Sequence, residues 1–203
     1  LSSLHQRQKE NAKNKLGGLR NLLRISPPVA ELANSLELKT ILESRLNKQA
    51  FPARALFFDK TADANWRVAW HQDVTIAVVE KIETAEFEGW SIKEEIVHVQ
   101  PARRILEGMV TIRLHLDDCG ADNGALKVIP GSHLHGKLNA AQIGEWTLKK
   151  NAFVCEVPKG GALLMRPLLL HSSSPSQNPL HRRVLHIEYA TDELPNGLKW
   201  FDR

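Results

Sequence analysis

Nine histidines stand in a chain of 203 residues that carries little other catalytic equipment. No His-Glu-x-x-His pattern, complete phosphate loop, Gly-x-Gly-x-x-Gly turn or Gly-x-Ser-x-Gly elbow occurs, so zinc-protease, nucleotide-binding and serine-hydrolase chemistries lack their usual signatures. What remains is His-x-acid, found at His71-Gln72-Asp73, His115-Leu116-Asp117 and His186-Ile187-Glu188. Residues two apart in an extended strand face the same side, about 7 Å apart along the backbone, so an imidazole and a carboxylate can converge on one ion. With this many histidines and acids about one such match arises by chance, and spacing alone does not choose among the three.

A second imidazole would complete the two-histidine, one-carboxylate set that holds non-haem iron on one face of an octahedron, leaving three positions for a chelating cosubstrate and dioxygen. His171 is the attractive candidate. It ends the apolar run 162–170, expected as a strand, and Arg182 follows eleven residues later at the start of the next. A strand, a terminal His, a Ser/Pro turn and a returning Arg would set a guanidinium deep beside the metal, where the far end of a dicarboxylate would lie.

The elements that must position these groups are short strands. After Pro52, β-favouring runs at 55–58, 74–79, 109–116, 126–129, 153–157, 162–170 and 184–189 alternate with turn chemistry at Asp122-Asn123-Gly124, Pro130-Gly131-Ser132, Pro158-Lys159-Gly160-Gly161 and Asn178-Pro179. The first fifty residues are expected to be helical. Leu16, Leu19, Leu22 and Leu23 recur at helical spacing, Pro28 suits a first turn, and Ser35 suits the cap of a helix carrying Leu38, Ile41, Leu42 and Leu46. A further helical stretch is expected around residues 140–146. Helices followed by about seven strands without strand and helix alternation argue against a doubly wound parallel sheet and for an antiparallel sandwich or barrel, best a mainly β jelly roll with flanking N-terminal α-helices. The Glu-rich stretch 80–95, holding Phe87 and Trp90, is expected to be a lid or loop. The expected layout is one domain over 1–203: a helical flank at 1–50, a core at 51–190 with a lid-like insertion at about 80–100, and a tail at 191–203.

Trp70-His71-Gln72-Asp73, Asn123-Gly124-Ala125-Leu126 leading to Pro130-Gly131-Ser132-His133, and His171-Ser172-Ser173-Ser174-Pro175 with Arg182-Arg183 together resemble the phytanoyl-CoA dioxygenase family of iron(II) and 2-oxoglutarate-dependent oxygenases. The resemblance covers about residues 53–190, and its specificity lies in the order and spacing of the three blocks. It implies a double-stranded β-helix, the cupin-like jelly roll already expected. It also implies Fe(II) held by His71, Asp73 and His171, 2-oxoglutarate anchored by Arg182 with Arg183 as the fallback, and dioxygen as oxidant in the hydroxylation of a small metabolite. Two departures bear on substrate choice: the segment between Asp73 and Asn123 is longer than in mammalian members, and Leu56 stands where the family can carry Met.

Other residues have plainer readings. His115, Asp117 and Asp118 are expected to end a strand and shape the following turn and His133 to pack or cap, while His186 with Glu188 either faces the barrel interior in support of the site or, on the plainer reading, packs in the core. Arg182 has an ion pair with Glu188 as its ordinary alternative. Lys60 and Asn65 lie close enough in sequence to the iron motif to reach a bound ligand, and Trp66, Trp70 and Trp90 suit packing.

Composition bounds the alternatives. A hydrophobic fraction of 42% with 25% charged residues is ordinary globular usage and excludes disorder throughout. No apolar run approaches the roughly 18 residues of a membrane span. The net charge of +4 sits in residues 1–50, which hold nine Lys/Arg against four Asp/Glu, whereas residues 51–203 hold 18 against 19. That distribution disfavours nucleic acid as a partner and, with it, the rival reading of a nucleic-acid demethylase on the same fold. The other rival is a jelly roll that retains small molecules without turnover. Two cysteines, Cys119 and Cys155, make no disulfide framework and suggest reduced thiols in the cytoplasm. No secretory leader is visible, and a chain opening Leu1-Ser2-Ser3 is expected to be incomplete. Oligomeric state is not encoded in any feature of the string.

Overall fold

The structure, a computed structural model, describes residues 18–177 and 181–203; Leu16 of the expected helix and the Asn178-Pro179 turn lie outside them. The chain opens with helices α1 (Leu22–Ile25), α2 (Pro27–Ala33) and α3 (Leu36–Leu46). Both prolines occupy the first turn of α2, where their missing N–H groups cost nothing. Ser35 caps α3, its side chain accepting from the Leu38 N–H.

Strands then follow as β1 (Phe51–Lys60), β2 (Val68–His71), β3 (Ile76–Val78), β4 (Phe87–Lys93) and β5 (Ile96–Pro101), a short helix α4 (Arg103–Glu107), β6 (Val110–His115) and β7 (Leu126–Val128). Helix α5 (Ala140–Lys149) opens on a capping box formed by Asn139 and Gln142. After it come β8 (Phe153–Cys155), β9 (Ala162–Met165), β10 (His171–Ser173) and β11 (Arg182–Ala190). Two four-stranded antiparallel sheets result, ordered β1-β11-β6-β9 and β2-β10-β7-β8. They form the expected double-stranded β-helix. No helix among the described residues is long and apolar enough to cross a membrane.

The first sheet has two working faces because side chains alternate along a strand. Ala55 and Phe57 of β1, Ile112 of β6, and Leu185, Ile187 and Tyr189 of β11 face the helices and join Leu22, Val29 and Leu42 in one buried cluster. Burying an aliphatic side chain of this size contributes about 1.5–3 kcal/mol, so this layer fixes the sheet from behind. The alternate positions, among them Arg54, Leu56 and Phe58 of β1, Arg113 of β6, and Arg182, His186 and Glu188 of β11, line a cavity instead.

The structure corrects four local expectations. Leu19, expected in a helix, forms an isolated bridge to Phe57, and the left-handed Asn21 delays the first helix to Leu22. Much of the stretch expected as a lid or loop at 80–95, within the lid-like insertion at about 80–100, belongs to the β4–β5 hairpin, which pairs through β5 with β3 in a third sheet. The apolar run 162–170 is not one strand: β9 ends at Met165, and the chain crosses to the second sheet before β10 begins at His171. Pro167 has no N–H to give a ladder, and the Leu169 N–H closes a turn on Arg166. His171 therefore opens a strand rather than ending one. Asp73, too, lies just beyond β2 rather than on it.

Candidate active site

The adjacent strands β2 and β10 place His71 directly opposite His171, with ring centroids 4.2 Å apart. The chain leaves the sheet after His71, yet Asp73 is held in place because its N–H donates to the Pro167 carbonyl at 2.9 Å. Gln72 between them is buried. Its amide nitrogen donates to Gly136 O at 2.8 Å and Leu168 O at 2.7 Å, and its Oε1 accepts from the Leu138 N–H at 2.7 Å. Two loops, one holding Gly136 and Leu138 and the other Leu168, are thus tied to the His-x-Asp segment through one side chain. Gln72→Leu would leave two carbonyls and an amide unpaired, at about 1–3 kcal/mol for each buried group. Denaturant unfolding is expected to show the lost stability, and metal affinity is expected to fall with it.

The donor set converges. One ligand atom from each of His71, Asp73 and His171 lies within 4.8 Å of the others. Asp73 Oδ1 is 3.7 Å from His71 Nε2, and Oδ2 is 3.6 Å from His171 Nε2. Each imidazole Nδ1 sits 2.8 Å from a backbone carbonyl, Ala69 O for His71 and Leu169 O for His171. A carbonyl only accepts, so each Nδ1 carries the proton and each Nε2 presents its lone pair inward. Asp73 Oδ2 is buried with no hydrogen-bond partner. Burial alone would raise the Asp73 pKa, but the charges of His171, His186, His71 and Arg54 outweigh it and hold the carboxylate at about 2. Burial lowers His171 to about 4, keeping it a neutral donor. Two neutral imidazoles and one carboxylate with an unmet lone pair fit a divalent transition ion such as iron(II).

These groups open on a cavity of about 220 Å³. Arg182 lines it at 3% exposure, with its Nε unpartnered. Glu188 does not pair with Arg182; it takes Arg54 in a two-point contact at 3.0 and 2.5 Å. Arg183 is likewise committed, holding Asp117 through Nε and Nη2 at 2.8 and 2.5 Å. Asp117 and the buried His115 thus belong to the strand end and its turn rather than to the metal-donor cluster. Of the two adjacent arginines only Arg182 faces the cavity without a carboxylate partner among the described residues. Burial lowers its pKa, as expected of a guanidinium awaiting an anion.

Arg54 and Arg113 escaped the sequence reading, and other residues it named take more definite places. His186 Nε2 stands 3.3 Å from Glu188 Oε1, and its Nδ1 stands 2.8 Å from Arg113 Nη1. Arg54, Glu188, His186 and Arg113 therefore form one chain of contacts along the cavity wall, not inert core. Their alternation on β1, β6 and β11 was the available signal. Lys60 is wholly buried, its Nζ 2.6 Å from Ser173 Oγ and 2.5 Å from Ser174 O. Burial and then Arg182 push its pKa down to about 7. Asn65 pairs with the Ser176 backbone in both directions, at 2.8 and 2.7 Å. Both residues brace the segment after His171 and do not line the cavity. Gly124 permits this bracing: its φ is +66°, and a Cβ there would stand 2.7 Å from Ser174 O. Trp66 lines the cavity, while Trp90 packs against the buried cluster around Phe87 and Trp200.

A family model described as phytanoyl-CoA dioxygenase matches residues 7–184. Among solved structures, AviO1 from Streptomyces viridochromogenes Tue57 is 20% identical with a TM-score of 0.67, over 96% of this chain and 84% of that one. EctD from S. alaskensis, solved with 2-oxoglutarate and 5-hydroxyectoine, is 19% identical with a TM-score of 0.64, over 88% and 57%. SnoK, a non-heme alpha ketoglutarate dependent carbocyclase from nogalamycin biosynthesis, is 13% identical with a TM-score of 0.66, over 87% and 63%. The chain thus spans little more than half of EctD. A search of curated proteins finds no match in sequence.

Proposed function

The chain belongs to the phytanoyl-CoA dioxygenase family, and on that premise we propose that it is an iron(II)- and 2-oxoglutarate-dependent dioxygenase hydroxylating an unactivated C–H bond of a small organic metabolite in the cytoplasm. The observation that carries this reading is the convergence of His71, Asp73 and His171 on a cavity whose wall holds Arg182 without a carboxylate partner among the described residues. EctD has been solved with bound Fe and with 2-oxoglutarate, which supports the same cofactors here.

In this reading the two histidines hold iron through Nε2 and Asp73 holds it through a carboxylate oxygen. The bound metal supplies oxygen activation coupled to oxidative decarboxylation of 2-oxoglutarate. The chain's own work is positional. Arg182 forks onto the distal carboxylate of the cosubstrate in a two-point, charge-assisted contact that a lysine ammonium cannot copy. Leu56, Phe58, Trp66, Val68 and Leu126 give the cavity an apolar wall against which a C–H bond can be presented. Asp73 would give the metal a carboxylate donor in place of a halide, which favours hydroxylation over halogenation.

Incubation with iron, ascorbate and 2-oxoglutarate is expected to yield succinate slowly, by uncoupled turnover, and none in Asp73→Ala. Binding of both iron and 2-oxoglutarate without any succinate would instead support a jelly roll that only retains ligands.

A further inference from the structure

The cavity wall carries more positive charge than the proposed chemistry consumes. Arg20, Arg54, Lys93, Arg113 and Arg182 face Asp73 and Glu188 there. Even with Glu94 added, which receives the Arg20 Nε at 3.1 Å on the rim, five cations meet three carboxylates and two positive charges remain. An iron(II) ion adds two and 2-oxoglutarate removes two, so that surplus persists in the loaded site. Each other cation has a role or partner: Arg54 holds Glu188, Arg113 contacts His186, Arg182 faces the cosubstrate position, and Arg20 meets Glu94. Lys93 alone of the five has none: its side chain makes no ion pair or hydrogen bond among the described residues, although its backbone pairs with Ile96.

Its placement is built by the fold. Lys93 ends β4, and the Glu94-Glu95 turn that follows carries φ of 50° and 65°. The contact of Glu94 with Arg20 joins this hairpin tip to the N-terminal segment, which Leu19 bridges to Phe57 of β1. Both reach the rim of the same cavity. Burial, then Arg20 and Arg54, lowers the Lys93 pKa, as a cation among cations should show.

We propose that the substrate is a small organic anion, carrying a carboxylate or phosphate ester, whose charged end is held by Lys93 at the cavity rim beside Arg20 and Arg54. This deepens the functional reading above and rests on it. About 220 Å³ shared with a cosubstrate leaves room for a small molecule rather than an enclosed long acyl chain. The anion orients it with the opposite end toward the metal donors.

The test is direct binding to the protein loaded anaerobically with iron(II) and 2-oxoglutarate, followed by calorimetry and by the fluorescence of the tryptophans, of which Trp66 lines the cavity. Two matched pairs serve as probes: hexanoate against hexanamide, and glycerol 3-phosphate against glycerol. In at least one pair the anion is expected to bind about tenfold or more tightly than its neutral partner, as a charge-assisted contact requires. Lys93→Met is expected to erase that preference while leaving the affinity for 2-oxoglutarate unchanged. The pair that discriminates identifies the charged group. Equal binding within both pairs, no binding of any probe, or a preference that survives Lys93→Met would overturn the proposal. Failure of the protein to take up iron and 2-oxoglutarate in the first step would instead remove the functional reading on which it rests.

Discussion

Asp73→Ala protein is expected to emerge from iron reconstitution and gel filtration with essentially no metal, while its far-ultraviolet dichroism matches that of the parent. Asp73 is the only anion in the donor set, and its Oδ2 already lacks a hydrogen-bond partner. Its loss leaves two neutral imidazoles, a pair that holds a divalent ion weakly. His71→Ala should lose iron comparably. His171→Ala should as well, because the Nδ1 contact with Leu169 O aims its Nε2 inward. Asp117→Ala is the control. That carboxylate is spent on the Arg183 side chain and backbone N–H, so iron content should hold while stability falls modestly. Iron lost from Asp117→Ala and kept in Asp73→Ala would show that the wrong His-x-acid pair had been chosen.

Arg182→Leu is expected to abolish measurable 2-oxoglutarate binding in the iron-loaded protein. Removing one partner from a buried charge pair costs about 3–5 kcal/mol, a loss in affinity of roughly a hundredfold or more. Arg182→Lys should restore little, since an ammonium offers no planar fork. The sign of the stability change separates this role from a structural one. Arg182 is buried without a carboxylate partner among the described residues, and its pKa is lowered by that burial. Folding therefore already bears the desolvation of this guanidinium, and Leu should leave the ligand-free melting temperature unchanged or raised. Unchanged cosubstrate affinity, or collapse of the ligand-free fold, would defeat the assignment.

The candidate site was legible through side-chain chemistry and chain order, and His71, Asp73, His171 and Arg182 all border one cavity. What stayed hidden was how the backbone delivers them. The apolar run 162–170 looks continuous to a hydropathy reading, since Leu168 and Leu170 are as buried as Met165; apolarity carries no mark of a chain crossing from one sheet to another. The β4–β5 hairpin was missed for a different reason. Two-residue hairpin turns with positive φ normally announce themselves with Asn or Gly, and here Glu94 and Glu95 adopt that conformation. His186 and Glu188 on β11 were left with two readings because strand alternation says which residues share a face but not whether that face meets core or cavity. In β11, nearly all of whose residues are buried, both faces look equally apolar from solvent exposure alone.

That two-sided sheet separates two kinds of change. Alternate positions on β1, β6 and β11 meet either the helices or the cavity, so a variant at Leu56 or Phe58 reshapes what the cavity admits without touching the neighbours Ala55 and Phe57 that anchor the sheet. Catalyst engineering could therefore vary apolar cavity-facing positions such as Leu56 and Phe58 while keeping the charged wall and the folding scaffold, and natural divergence has the same freedom to acquire new specificities on an old frame.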